Sequence, residues 1–369
     1  GHGCRSSEFL ARTECTEPDD ASDRGPRCLA TILAAVTAIE RSRSLLALDP
    51  RSRHLSVAPA EGYVVGDEES LAEALHRLTT DQFTIAIDAL SDPRADITIA
   101  TSATLQSIAR IMAVLRLVRS SIGEDSFRAE HEILRDTDAL LRGLLVGRAE
   151  LRALDQLRAR YHSVLRPETF AEFRAQLHHR HQLRRLQALS EGEALQRALH
   201  RLRRARARFA ARPIDHRTDA ALSGREPVSD AFESVATGLL RTYRRGRKQW
   251  RKATAGEGAG STRWRRECSD LGHQLEVLSS SWPAVLAANA AACHQLSVVL
   301  AEDHALAALA AAASGSELTI TDVERSLLSA LIDSNRRELA GVASVIGARI
   351  YLEEPDQFVA RLSAYWTTH

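Results

Sequence analysis

Cationic side chains recur at helical spacing in one stretch of the chain. From Leu239 to Lys252 the sequence reads Leu-Leu-Arg-Thr-Tyr-Arg-Arg-Gly-Arg-Lys-Gln-Trp-Arg-Lys, and a second basic run, Thr262-Arg-Trp-Arg-Arg266, follows it. On a helix Arg241, Arg244, Arg245, Lys248 and Lys252 form a single stripe, flanked by Arg251. At about 1.5 Å of rise per residue the stripe is about 16 Å long, a shape that meets an extended polyanion. Guanidinium groups offer planar, paired donors to phosphate oxygens. The competing reading is a solvated basic face balanced by acids on neighbouring helices.

Composition narrows the choice. With 44% hydrophobic and 26% charged residues over 369 positions, the chain can bury a large core. A net charge of +1 conceals strong local segregation of the basic residues. Only Lys248 and Lys252 among the 49 basic side chains are lysines, so arginine richness pervades the sequence and is by itself no functional signal. The cysteines Cys4, Cys15, Cys28, Cys268 and Cys293 are scattered, which excludes a disulfide framework or a zinc motif built on close cysteine pairs. No apolar run is expected to reach the roughly 18 residues of a membrane span, and no signal-peptide pattern opens the chain. Cytoplasmic residence is the resulting expectation.

Periodicity calls for an all-α fold. Residues 1–60 are expected to hold a disordered tail and one unassigned helix, from Cys28 to Leu48. Helices are then expected over Leu71–Leu90, Asp96–Ile122, Phe127–Val146 and Ala149–Arg160. A long basic hairpin follows over 169–212, with its turn near Gly192. After a loop at 213–227, helices run from Ser229 through the basic stripe, from Trp264 to Leu278, from Trp282 through Leu300, over Glu317–Arg349 and over Phe358–Trp366. A short piece at Tyr63–Val65 is the one candidate strand. Aligning Ser102 with Thr262 sets Ile108 on Cys268, Ile111 on Leu271, Leu115 on Leu275 and Val118 on Leu278, so one apolar face occurs twice.

These residues resemble the conserved-histidine α-helical domain (CHAD) family, whose members bind inorganic polyphosphate. The resemblance covers roughly Tyr63 to Trp366. It is carried by Gly238-Leu-Leu-Arg-Thr-Tyr-Arg-Arg-Gly-Arg-Lys248, by Asp270-Leu271 with Gln274-Leu-Glu-Val-Leu278, and by Leu300-Ala-Glu-Asp-His304 with Leu306, Leu339, Ala343 and Gly347. The first half adds Leu115-Arg-Leu-Val-Arg119 and the stretch Phe127 to Asp136. It implies two pseudo-symmetric antiparallel helical bundles with long basic helices, in a domain over 61–369 with halves at about 61–212 and 228–369, and a basic groove between them.

The departures from the family pattern fall on the surface that the resemblance assigns to ligand. Ser102 and Thr262 stand where the family has its histidines. Leu105, Gln106, Ala109 and Ser269 stand where it has cations, and Ala149 and Ala305 where acidic partners belong. Arg110, Arg116, Arg148, Arg265 and Arg266 remain. A hydrogen bond to a charged group contributes about 1.5–3 kcal/mol, so losing several cations weakens a phosphate pocket severely.

Three functional readings follow. The first is a non-enzymatic binder of inorganic polyphosphate or a similar polyanion, with a degraded first-half site and affinity carried by Arg241, Arg244, Arg245, Lys248, Arg251, Lys252, Arg265 and Arg266, joined by Arg110, Arg116 and Arg148. The second is a degenerate CHAD-like scaffold or protein-interaction domain that no longer binds polyphosphate. The third, an enzyme, has least support: Glu191-Gly-Glu193 lacks the lysine and strand context of a triphosphate tunnel. His178, His179 and His181 lack a metal-binding spacing and read as surface residues, His273 and His304 as polar groups at packing surfaces. No cofactor and no metal are expected, no membrane partner, and too few aromatics are present to stack nucleic acid.

Overall fold

A computed structural model describes residues 63–66, 68–190, 193–211, 231–256 and 262–368. The expected tail and helix over residues 1–60, the hairpin turn at 191–192, the Glu191 string and the loops at 213–227 and 257–261 lie outside those residues. Among the described residues there are twelve α-helices and no strand.

Local chemistry sets several helix starts. α1 (Leu71–Ser91) opens with a reciprocal capping box between Ser70 and Glu73. α2 (Ile97–Leu117) is capped by Asp96, whose carboxylate accepts from the Thr98 and Ile99 amides. The helix expected to run unbroken to Ile122 instead pauses at Val118, and a single turn, α3 (Arg119–Ile122), follows before Gly123 takes φ 80°. α4 (Glu124–Gly143), α5 (Arg148–Arg160), α6 (Ala171–Ser190) and α7 (Glu193–Ala210) complete the first half. The second half holds α8 (Glu233–Thr254), α9 (Thr262–Val277), α10 (Pro283–Ser314), α11 (Asp322–Ile350) and α12 (Pro355–Thr367). Proline at the first turn starts α10 and α12, where its missing amide costs nothing. α10 extends past Leu300 to Ser314 because no breaker interrupts its alanines before Gly315.

Two apolar cores form. One is built by α1, α2, α4 and α7 around Phe83, Ile108, Ile111, Leu134, Leu141 and Leu202. The other is built largely by α8 to α12 around Leu239, Tyr243, Trp264, Leu271, Leu296, Leu331 and Tyr351, with Leu71, Leu75 and Leu78 of α1 and Val114 and Leu117 of α2 joining it. α5 and the start of α6 bury Leu154, Leu157, Tyr161, Phe170 and Phe173 in this second core, although they belong to the first half of the sequence. Burying an aliphatic or phenylalanine side chain of this size stabilises by about 1.5–3 kcal/mol. Polar ties reinforce the docking: Asn335 Nδ2 donates to the Tyr161 hydroxyl at 3.0 Å, the Phe170 amide donates to Glu324 at 2.9 Å, and Arg160 pairs with Glu338.

Tyr63–Val65 is extended chain rather than a strand. The Val65 amide donates to the Val277 carbonyl at 3.1 Å, and the Tyr63 hydroxyl donates to the Arg110 carbonyl at 3.1 Å. The expectation of no span-length apolar run needs correction: α2 and α10 are both long and apolar enough to cross a membrane by length and composition. α2 packs between α1, α4 and α9 with half of its apolar window buried, and α10 packs on α9, α11 and α5 with a third of its window buried.

Candidate polyanion-binding surface

α8 is held by contacts that only small or flat residues permit. A Cβ on Gly238 would run into the Leu117 and Arg116 carbonyls, so glycine lets α8 cross the end of α2. One and two turns further on, the Tyr243 ring stacks on Phe358 at 4.0 Å between centroids and Gly246 lies against the Tyr351 ring. The Tyr243 hydroxyl sits 3.1 Å from the carbonyls of Ile350 and Glu353 and donates to them. These contacts fix α8 beside the link between α11 and α12.

A cleft of about 560 Å³ lies along that seam, lined by Arg244, Arg247, Lys248, Arg251 and Lys252 on one side and by Glu354 and Asp356 on the other. Its cations differ in what they already hold. Arg244 donates to both Asp356 oxygens at 2.9 and 3.0 Å, Arg247 is buried against Glu354 and the Tyr351 carbonyl, and Arg251 reaches Glu354 at 3.7 Å. Arg247 holds the Glu354 carboxyl below the ordinary carboxylate range through its hydrogen bond. Among the described residues, exposed Arg245 and Lys248 have no carboxylate within ion-pair reach. Arg241 continues the stripe inward: burial first, then the neighbouring Arg119 and Arg245 charges, pull its guanidinium below its usual range, and its Nη1 is buried without a hydrogen-bond partner.

Where α2 meets α9, Arg116 Nη1 donates to both oxygens of buried Asp270, at 2.7 and 2.6 Å, and its Nη2 meets His131 Nε2 at 2.9 Å. Burial pushes the Asp270 carboxyl upward against the pull of Arg116. Glu267 is raised by burial too, and Arg266, Arg245 and Arg116 all draw it back, which places these three arginines around one carboxylate. Arg266 is exposed, 3.7 Å from Glu267. Arg265 points elsewhere, half-buried near Arg142 and Asp138. Arg148 opens α5, which packs on α10 rather than on α8.

The positions where the family pattern has cations come together in a second cavity, of about 290 Å³. Leu105, Gln106 and Ala109 from α2 and Ser269 from α9 line it, along with Arg110, whose guanidinium lies 5.0 Å over the Tyr63 ring. The same cavity holds His273 and Glu276 of α9 and His294 of α10. His273 Nδ1 is 2.9 Å from Glu276 Oε2, and His294 Nε2 is 3.1 Å from Oε1. Burial raises the Glu276 carboxyl, but the two imidazoles outweigh it and hold the group well below the ordinary carboxylate range. His273 is pulled down by burial in turn. Sequence reading singled out neither Glu276 nor His294. The spacing His273-Gln-Leu-Glu276, which puts both on one helical face, was the available signal, and His294 on the next helix had none. His304 is exposed, and His181 turns Nδ1 to the Val146 carbonyl at 2.9 Å rather than towards His178 or His179.

The fold is similar to that of PptA from Streptomyces chartreusis, with a TM-score of 0.50, 18% sequence identity, and a match covering 77% of this chain and 100% of PptA. At that identity the likeness speaks for the fold alone. No family model and no curated protein matches the sequence.

Proposed function

We propose that the chain binds inorganic polyphosphate or a similar polyanion, without chemical turnover, along the α8 stripe and the cleft beside it. One observation carries the reading: among the described residues, Arg245 and Lys248 are exposed on α8 with no carboxylate within ion-pair distance, next to a cleft already rimmed by Arg244, Arg251 and Lys252. Such cations give a charged chain its strongest contacts, since no close ion pair has to be broken. The CHAD resemblance of this stretch supports the same ligand class. Apolar and neutral residues at Leu105, Gln106, Ala109 and Ser269 leave the second cavity with fewer cations than the family pattern places there, Arg110 and Arg142 remaining.

The test is retention of the full chain on immobilised polyphosphate across a salt gradient. Each charged contact contributes about 1.5–3 kcal/mol, so Arg245→Ala with Lys248→Ala should weaken binding by about 100-fold or more. The pairing of Arg244, Arg247 and Arg251 with Glu354 and Asp356 favours the scaffold reading instead. No retention of the wild type at low salt would establish that alternative.

A further inference from the structure

We propose that His273, Glu276 and His294 form a site for a divalent transition-metal ion, zinc in the first place, with its open coordination position facing the cavity beside Arg110. The site stands apart from the α8 cleft and does not depend on polyanion binding there.

The arrangement has the construction of a metal site in a helical bundle, where facing helices each supply inward ligands. His273 and Glu276 share one face of α9 at i, i+3, and His294 meets them from α10, which packs extensively on α9. One ring nitrogen from each histidine and a Glu276 carboxylate oxygen all lie within 4.8 Å of one another. Ligands bound at about 2.0–2.2 Å around a tetrahedral zinc lie about 3.3 Å apart, so small side-chain rotations suffice to receive the ion. The side chains are 7%, 7% and 12% exposed, which makes the group preformed rather than a chance meeting at the surface.

Two further features fit a metal site. His294 Nε2 is buried at ion-pair distance, 3.1 Å, from Glu276 Oε1, without a well-aligned hydrogen bond to hold it there. Gly272 occupies the middle of α9, where glycine costs about 1 kcal/mol relative to alanine. A Cβ there would come within 2.8 Å of His294 Cε1 and 3.0 Å of Nδ1, so the glycine is what seats this imidazole.

Donor chemistry selects the ion. Two imidazoles and one carboxylate suit zinc and its neighbours, whereas magnesium and calcium take oxygen-rich shells. Three protein ligands leave one position open, as in catalytic rather than structural zinc sites. A doubly charged ion with one carboxylate stays positive, and Arg110, whose Nε is buried without a hydrogen-bond partner, lines the same cavity. The open position therefore favours an anionic ligand, a phosphate or a carboxylate, over a neutral one.

The experiment uses the full chain stripped by a chelator, titrated with zinc against a chromophoric competitor and with cobalt for its visible ligand-field absorption. A single tight equivalent with four-coordinate cobalt bands is expected. Even changes one shell beyond the ligands cost about 10–100-fold in affinity, so Glu276→Gln and His294→Gln should each lose more than 100-fold. Gly272→Ala keeps all three ligands and should weaken binding about tenfold by displacing His294. Absence of uptake by the wild type overturns the proposal. So does uptake that survives Glu276→Gln and Gly272→Ala but disappears in a His178→Ala, His179→Ala, His181→Ala chain. Circular dichroism of each variant separates lost ligation from lost folding, and if His294→Gln does not fold, the Glu276 and Gly272 variants decide.

Discussion

Arg116 of α2 and Asp270 of α9 meet in an ion pair that is only 13% and 5% exposed, tying together the two sequence halves. Taking one partner from a buried pair leaves an uncompensated charge and costs about 3–5 kcal/mol. Arg116→Met should therefore destabilise the chain by about that much in chemical denaturation, and Arg116→Met with Asp270→Leu should recover most of the loss. A double variant no more stable than the single one would show that the pair contributes more than charge cancellation.

Pairing within the cleft ranks its cations. Arg245→Ala and Lys248→Ala together should reduce the dependence of log affinity on log salt by about two contacts' worth, by the counterion-release logic established for nucleic acids. Arg244→Ala should change it less, because that guanidinium is already bound to Asp356. Asp356→Asn should raise affinity for polyphosphate, measured on the same salt gradient, by freeing Arg244. Equal effects for all three arginine and lysine changes would show that the Asp356 pair opens at no cost.

His131 gives the fold a sign-defined pH dependence. Burial, and then the Arg116 charge beside it, pull its imidazole from 6.5 down to about 4. The unfolded chain thus takes up this proton at a higher pH than the folded one. The stability tied to neutral His131 is complete above 6.5 and is lost as pH falls towards 4. Thermal melts at several pH values in that window should show a steeper loss for the wild type than for His131→Asn. Superimposable profiles would refute the assignment.

Gly246 should tolerate no side chain. An alanine Cβ there would sit 2.7 Å from Tyr351 Cζ, inside a fully buried cluster. Overpacking of this kind costs about 1–3 kcal/mol, which urea midpoints for Gly246→Ala against the wild type would read.

Much of the helical order was legible because apolar residues repeat every three or four positions and breakers stand at Asp92-Pro93, Gly123 and Trp282-Pro283. The break at Val118 was not: no glycine or proline stands there, and the chain turns at Val118 with φ −95° and ψ 12°. The all-α class held. The basic stripe of α8 was readable from spacing, but not the acids opposite it: Glu354 and Asp356 lie more than a hundred positions downstream, and contacts such as the Tyr243–Phe358 stack and the Tyr243 hydroxyl bonds bring them alongside. His294 lies on the helix after that of His273 and Glu276, and only the packing of the two helices makes it their partner. Loss of cations at Leu105, Gln106, Ala109 and Ser269 was visible one residue at a time, and their convergence on one cavity required the fold.

The docking of α5 and α6 against α11 bears on how the chain comes to be folded during synthesis. Translation delivers Leu154, Tyr161, Phe170 and Phe173 long before Leu331, Asn335 and Leu339 exist to cover them. The first half therefore leaves the ribosome with a sticky flank that it cannot hide by itself. Until the last long helix arrives, that flank is open to association with other chains.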